Sequence, residues 1–163
     1  DLGIKKYVFF TKEMMMAKPS FSIQEMVIAA RDVGGAAKRW ADSLGVDPDR
    51  TVSYPQSGIE IDMSGVWIGD FHIAFVSDAS GKGPVSRFLD KRGEGLFELC
   101  IQTDDLAAAV EHMKAGGMRF TSEEPHILRN YEFKGEVFSE VHVMFVHPDS
   151  ATGTQIELQQ WYK

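Results

Sequence analysis

The chain predicts an α+β fold of two tandem βαβββ modules, and three observations lead there. Residues 24–37 and 97–110 share one pattern, an apolar strand that runs through an Asp into a helix. Glu25 and Glu98 are 73 positions apart (98 − 25), as are Asp32 and Asp105 (105 − 32), the sign of an internal repeat. Short strand patterns follow each helix, and each of the main strands has one large apolar face and one small or polar face. The expected architecture is a curved mixed sheet wrapped around a metal-binding cleft.

The elements follow in order. Residues 1–19 match no part of the repeat and are set aside as an N-terminal arm or an expression remnant. The first module is expected over 20–76. Its first strand reaches Asp32, whose carboxylate can accept from the free amides of a helix's first turn. The helix from Val33 should bury Val33, Ala37, Trp40 and Leu44 at helical spacing, and Gly45 ends it. Strands are expected at 51–54, 59–63 and 71–76. Residues 77–93, rich in Gly, Ser and charge, read as a surface linker holding a short helix over 85–90. The second module, 94–163, repeats the scheme. Asp105 or Asp104 caps a helix burying Leu106, Ala109, Val110 and Met113, and Gly116 and Gly117 close it. Strands are expected at 119–121, 141–146 and 155–159, and residues 125–135 read as a loop able to cover the cleft.

At 163 residues and 44% apolar content, the chain can bury one core or two small fused ones. A net charge of −7 without a basic stripe excludes a nucleic-acid surface. It also disfavours a polyphosphate ligand unless a local basic patch overrides it. The single cysteine, Cys100, excludes an intrachain disulfide and reads as a small buried hydrophobe within a strand. No apolar run approaches the ~18 residues of a spanning helix, so no membrane partner is expected and the cytoplasm is the expected compartment.

Alternation along the strands places four polar residues on the non-core face. The first strand sets Glu25, Val27 and Ala29 against Met26, Ile28 and Ala30. Likewise His72 opposes Ile73, Glu98 opposes Phe97 and Leu99, and Glu157 opposes Ile156 and Leu158. Either this face is the solvated side of an open sheet, or Glu25, His72, Glu98 and Glu157 converge in a cleft. Converging carboxylates repel, so they must take up protons or share a cation. Carboxylates with one imidazole suit Zn, Mn, Co, Ni or Fe(II), and an all-oxygen set leans towards Mg or Mn.

The paired repeat resembles the vicinal-oxygen-chelate (glyoxalase/bleomycin-resistance/dioxygenase) superfamily, with methylmalonyl-CoA epimerases the most similar branch. The residues that carry the likeness are Arg87 through Leu96, Asp104-Asp105-Leu106, Glu123-Glu124-Pro125, and His147-Pro148-Asp149-Ser150 leading to Ile156-Glu157-Leu158. The resemblance implies a metal held by one residue from the first strand and one from the last strand of each module. The family has His at the positions of Glu25 and Glu98, and Glu at Glu157. Its fourth ligand aligns with Ala74, which cannot ligate, so His72 is the expected substitute.

The chemistry implied is epimerisation or isomerisation of an acyl-CoA, hydroxy-ketone or sugar-like substrate. The metal polarises a carbonyl while acid–base groups move the α-proton. Glu157, Glu60 and His142 are the acid–base candidates, with Asp62 beside them. His126 sits in the 125–135 loop, His112 on a helix surface and His147 in a turn. The alternatives are a glyoxalase-type lyase, a ring-cleaving dioxygenase, or a non-catalytic small-molecule binding or resistance protein with an aromatic cleft served by Trp67 and Trp161. A homodimer is the expected assembly.

Overall fold

A computed structural model describes residues 18–56 and 58–163. The expectation for residues 1–19 therefore falls almost wholly outside the described residues. The first module runs β1 (Phe21–Ala29), α1 (Val33–Leu44), β2 (Val52–Gln56), β3 (Ile59–Ile68) and β4 (Phe71–Asp78). Helix α2 (Pro84–Arg92) follows. The second module then runs β5 (Gly95–Thr103), α3 (Leu106–Ala115), β6 (His126–Phe133), β7 (Glu136–Val146) and β8 (Gln155–Tyr162), with one turn of 3-10 helix over Pro148–Ser150.

The strands form a single curled mixed sheet in the order β2-β3-β4-β1-β5-β8-β7-β6. Each module contributes one half. β1 pairs in parallel with β4, β5 pairs in parallel with β8, and the two first strands meet antiparallel at the centre. The predicted βαβββ repeat is thus present twice.

Both crossover helices start as the sequence predicts. Asp32 accepts from the Gly35 amide and Asp105 from the Ala108 amide, each at 2.9 Å, while Asp104 instead accepts from the Ser20 amide. Both helices pack on the convex face. α1 lies over Ile73, Phe75 and Val66, and α3 over Met144 and Leu158.

Three expectations need correction. α1 buries Val33, Ala36, Ala37 and Ala41, leaving Trp40 38% and Leu44 49% exposed. The alanine stripe lets the helix approach the sheet closely and sends the larger side chains to its rim, where Trp40 meets the edge of Phe75. Next, residues 119–121 form no strand beyond a Phe120–Val146 bridge. The second strand of that module is β6, where a cleft-covering loop was expected. Its exposed edge position weakens its alternation, and Lys134 and Gly135, both at positive φ, make the tight turn into β7.

The third correction concerns the linker. α2 packs into the concave face rather than riding on the surface. Val85 and Leu89 close over Val27, Ala29, Ala74, Val76 and Cys100. Asp78, itself buried, anchors the helix start by accepting from the Ser86 amide at 2.7 Å and the Gly83 amide at 3.3 Å. Part of the small-residue face is therefore ordinary core, and only the remainder can be a site. Leu89→Ala should cost roughly 2–5 kcal/mol of unfolding free energy. Urea denaturation would check this, and a loss under about 0.5 kcal/mol would mean that α2 does not cap the core.

Candidate active site

Strand register brings the four polar residues together. Glu25 lies beside His72 on one side and Cys100 on the other, Cys100 lies beside Glu157, and Glu98 stands opposite Val27 in the next row. All four are on the concave face, beyond the residues that Val85 and Leu89 of α2 cover. His72, Glu98 and Glu157 are 4%, 7% and 8% exposed. That degree of burial excludes the solvated-sheet alternative.

Glu25 and His72 form an ion pair through His72 Nδ1, and His72 Nε2 reaches Asp49 Oδ2 at 2.8 Å. Burial alone would push the imidazole pKa down, but the hydrogen bond and charge of Glu25, then those of Asp49, more than offset it and raise the pKa. Trp67 stacks on the ring at 4.4 Å. Gly65 leaves room for it, since a Cβ there would strike His72 Nε2 and lie 2.8 Å from the Ile73 carbonyl oxygen. Both ring nitrogens of His72, expected as a metal ligand, are bonded to carboxylates here, those of Glu25 and Asp49.

Glu98 and Glu157 form a second pair. Burial and the neighbouring Glu157 charge hold the Glu98 carboxyl well above the usual carboxylate range. Burial also raises Glu157, although a hydrogen bond from Glu98 opposes that rise. Both carboxyls thus lean towards their protonated forms, Glu98 the more so because a like charge lies beside it. Side-chain amides orient both groups. Gln155 Nε2 donates to Glu98 and Gln159 Nε2 to Glu157, and Gln159 in turn accepts from Trp161 Nε1 at 2.7 Å.

Cys100 Sγ lies between the pairs, 3.8 Å from both Glu25 Oε2 and Glu98 Oε1. Ligand atoms of Glu98, Cys100 and Glu157 all lie within 4.8 Å of one another. This donor set fits a divalent cation. His72 pairs with Glu25 and Asp49, and the two remaining carboxylates of the cluster carry the charge that a dication would neutralise.

Two edge strands complete the cleft. Tyr54 on β2 and Tyr131 on β6 both feel the carboxylates, and burial followed by Glu25 and Glu157 pushes each phenol well above its ordinary value. Both hydroxyls therefore stay protonated. Trp67, Phe133 and Trp161 form an aromatic wall, with Phe133 lying 5.7 Å from Trp67 and 5.0 Å from Trp161. Lys134 sits 4.3 Å over the Trp67 ring.

The other expected residues lie elsewhere. Glu60 and Asp62 alternate with Ile61 and Met63 onto the convex side of β3, and Asp62 is bonded there by Ser53. His142 also faces away, between Glu140 and Tyr162. Neither Glu60 nor His142 can act at the carboxylate cluster. His126 opens β6 and approaches Phe145 at 5.8 Å, and His112 meets Phe21 at 6.4 Å. His147 caps the 3-10 turn by accepting from the Asp149 amide. Sequence reading missed Asp49, Tyr54, Tyr131 and Gln155. Of these, only Gln155 carried a signal, because it alternates with Glu157.

The family model of the Glyoxalase/Bleomycin resistance protein/Dioxygenase superfamily matches residues 24–134, more than half of the chain. The chain belongs to this superfamily. Among relatives of the superfamily fold, the mitochondrial methylmalonyl-CoA epimerase of Homo sapiens is 27% identical over 85% of this chain and 73% of its own length. An ethylmalonyl-CoA/methylmalonyl-CoA epimerase of Cereibacter sphaeroides is 24% identical over 85% and 96%. In structure, the chain superposes on methylmalonyl-CoA epimerase from Mycobacterium tuberculosis with a TM-score of 0.65, at 24% identity, covering 85% of this chain and 86% of the other. The eight-stranded sheet is thus the superfamily's own fold. Among the described residues no helix is long and apolar enough to cross a membrane.

Proposed function

We propose that this superfamily member is a divalent-metal-dependent epimerase that moves a proton at a carbon next to a carbonyl. The observation that carries the reading is the buried Glu98–Glu157 pair, oriented by two glutamines beside a separately neutralised Glu25. Glu98 and Glu157 hold the ion. When bound, the ion supplies a Lewis acid that polarises the carbonyl.

Glu25 takes a different part from the ligand role expected of it. His72 binds its Oε1 and fixes its orientation, which leaves Oε2, on the Cys100 side, to accept the α-proton. Tyr54 and Tyr131 hold their protons on the edge-strand sides of the cleft. The aromatic wall gives the site an apolar side, which strengthens each of these interactions. The names of the epimerase relatives support the reaction class and suggest acyl-CoA thioesters as first substrates.

The test is ¹H NMR of methylmalonyl-CoA and ethylmalonyl-CoA in D₂O with the chain and Co(II), Mn(II) or Zn(II). The expected result is metal-dependent exchange of the α-proton, suppressed by chelator and at least ~100-fold slower in Glu25→Gln, the low end of what a general base contributes. Exchange no faster than in buffer, with every metal, would rule the reading out.

A second reading rests on the wall of Trp67, Phe133 and Trp161, which suits a non-catalytic small-molecule binder. Metal analysis separates the two, because that reading needs no ion.

A further inference from the structure

The carboxylate site leaves one basic surface unused. Pro84, Arg87, Phe88, Lys91 and Arg92 lie on one face of α2. With Phe97, Pro148, Gly153 and Gln155 they line an open cavity of about 210 Å³. Three cations line this cavity in a chain whose net charge is −7, and no carboxylate lines it.

Two of the three cations are held in place. Arg87 donates to the Lys82 carbonyl at 2.7 Å, and Arg92 donates to the Gly153 carbonyl at 2.8 Å and lies 5.7 Å over Phe88. Phe88 meets Phe97 edge-on at 5.4 Å, giving the cavity an apolar floor. An irregularity in the β1–β5 pairing, between Val27 and Ile28, turns Phe97 towards α2 instead of the convex core.

Gln155 joins this cavity to the carboxylate site. It lines the cavity and also donates to Glu98. The volume is below the ~300–1,000 Å³ of a pocket that swallows a whole drug-sized ligand. It suits one group of a larger molecule. Two arginines and a lysine match the several charged oxygens of a phosphate better than a single carboxylate.

We propose that this cavity binds the phosphate or pyrophosphate group of a ligand whose other end reaches Glu98. The proposal rests on the epimerase reading for what happens at the Glu98 end, and it narrows the substrate to phosphate-bearing molecules over plain hydroxy-ketones. It also locates the local basic patch that could override the unfavourable overall charge.

Isothermal titration calorimetry with pyrophosphate and with adenosine 3′,5′-bisphosphate tests it. Both probes should bind the wild-type chain, more weakly as salt rises, and at least tenfold more weakly to Arg87→Ala/Lys91→Ala. The exposed, charge-preserving Arg87→Lys/Lys91→Arg pair should restore most of the binding. Tighter binding of the bisphosphate would identify the phosphates of a nucleotide carrier as the source, and equal binding would identify a free phosphate anion. No binding of either probe, or equal binding by the alanine variant, overturns the proposal. Glu25→Gln should bind pyrophosphate like wild type. Charge-dependent pyrophosphate binding without any α-proton exchange would therefore sink the epimerase reading alone. Exchange without charge-dependent binding would sink the phosphate site alone.

Discussion

Glu98→Ala and Glu157→Ala should each abolish uptake of a divalent ion, measured as bound metal per chain after dialysis against Co(II) or Zn(II). The physical reason is charge. His72 pairs with Glu25, so within the cluster Glu98 and Glu157 are the buried carboxylates that have no cationic partner among the described residues. Removing either leaves one negative charge to hold a dication in a dry site. Gln155→Ala, which frees the Glu98 side chain from its amide, should weaken metal affinity by the ~10–100-fold typical of losing a group that orients a ligand. Cys100→Ser tests a different point, since the thiol lies among the ligand atoms but its pKa is raised well above its ordinary value. It should leave stoichiometry intact. Full metal occupancy in Glu157→Ala would show that the ion sits elsewhere.

The metal-free chain should lose stability as pH rises from about 5 to 8. The folded-state pKa values of Glu98 and Glu157 lie above their ordinary value of 4.5 because of burial and, for Glu98, the neighbouring carboxylate. Below the ordinary value both the folded and the unfolded chain hold these protons, so the pair costs nothing. Above it the unfolded chain releases protons that the folded chain retains, and stability falls until the pH passes the raised folded values. Glu98→Gln removes the like charge and keeps a hydrogen-bonding side chain. It should therefore flatten this decline and raise the melting temperature at pH 8, by ~2–4 °C for each kcal/mol gained. Saturating metal should restore wild-type stability at pH 8, by ~2.7 kcal/mol at a hundredfold excess over Kd. A wild-type melting temperature that climbs steadily from pH 5 to 8 without metal would contradict the raised carboxyls of this pair.

The fold was legible because it is written twice. A 73-residue offset between matching strands, with Asp caps that both form, needs no tertiary information. The face carrying Glu25, His72, Glu98 and Glu157 was legible for the same reason, since strand alternation survives as long as register does. What failed depended on contacts between distant elements. Trp40 and Leu44 fit a helical stripe, but the sheet's demand for close approach selected the alanines. β6 hides because an edge strand has little need of apolar alternation. α2 looked like surface because only Val85 and Leu89 are fully buried. The pairing of His72 with Asp49 was unreadable because Asp49 comes from a loop 23 positions earlier. Tyr54 and Tyr131 reach the site only through the curl of the sheet. Glu60 and His142 were chosen for chemistry alone, and alternation within their own strands places them on the wrong side.

The most direct test of the central claim, that the concave face is a carboxylate metal centre, is an anomalous difference map at the metal edge from crystals grown with Co(II) or Zn(II). The account predicts one strong peak about 2.0–2.2 Å from carboxylate oxygens of Glu98 and Glu157, with His72 still bound to Glu25. A map without a peak on this face, or with the ion on His72 and away from the Glu98–Glu157 pair, would contradict it.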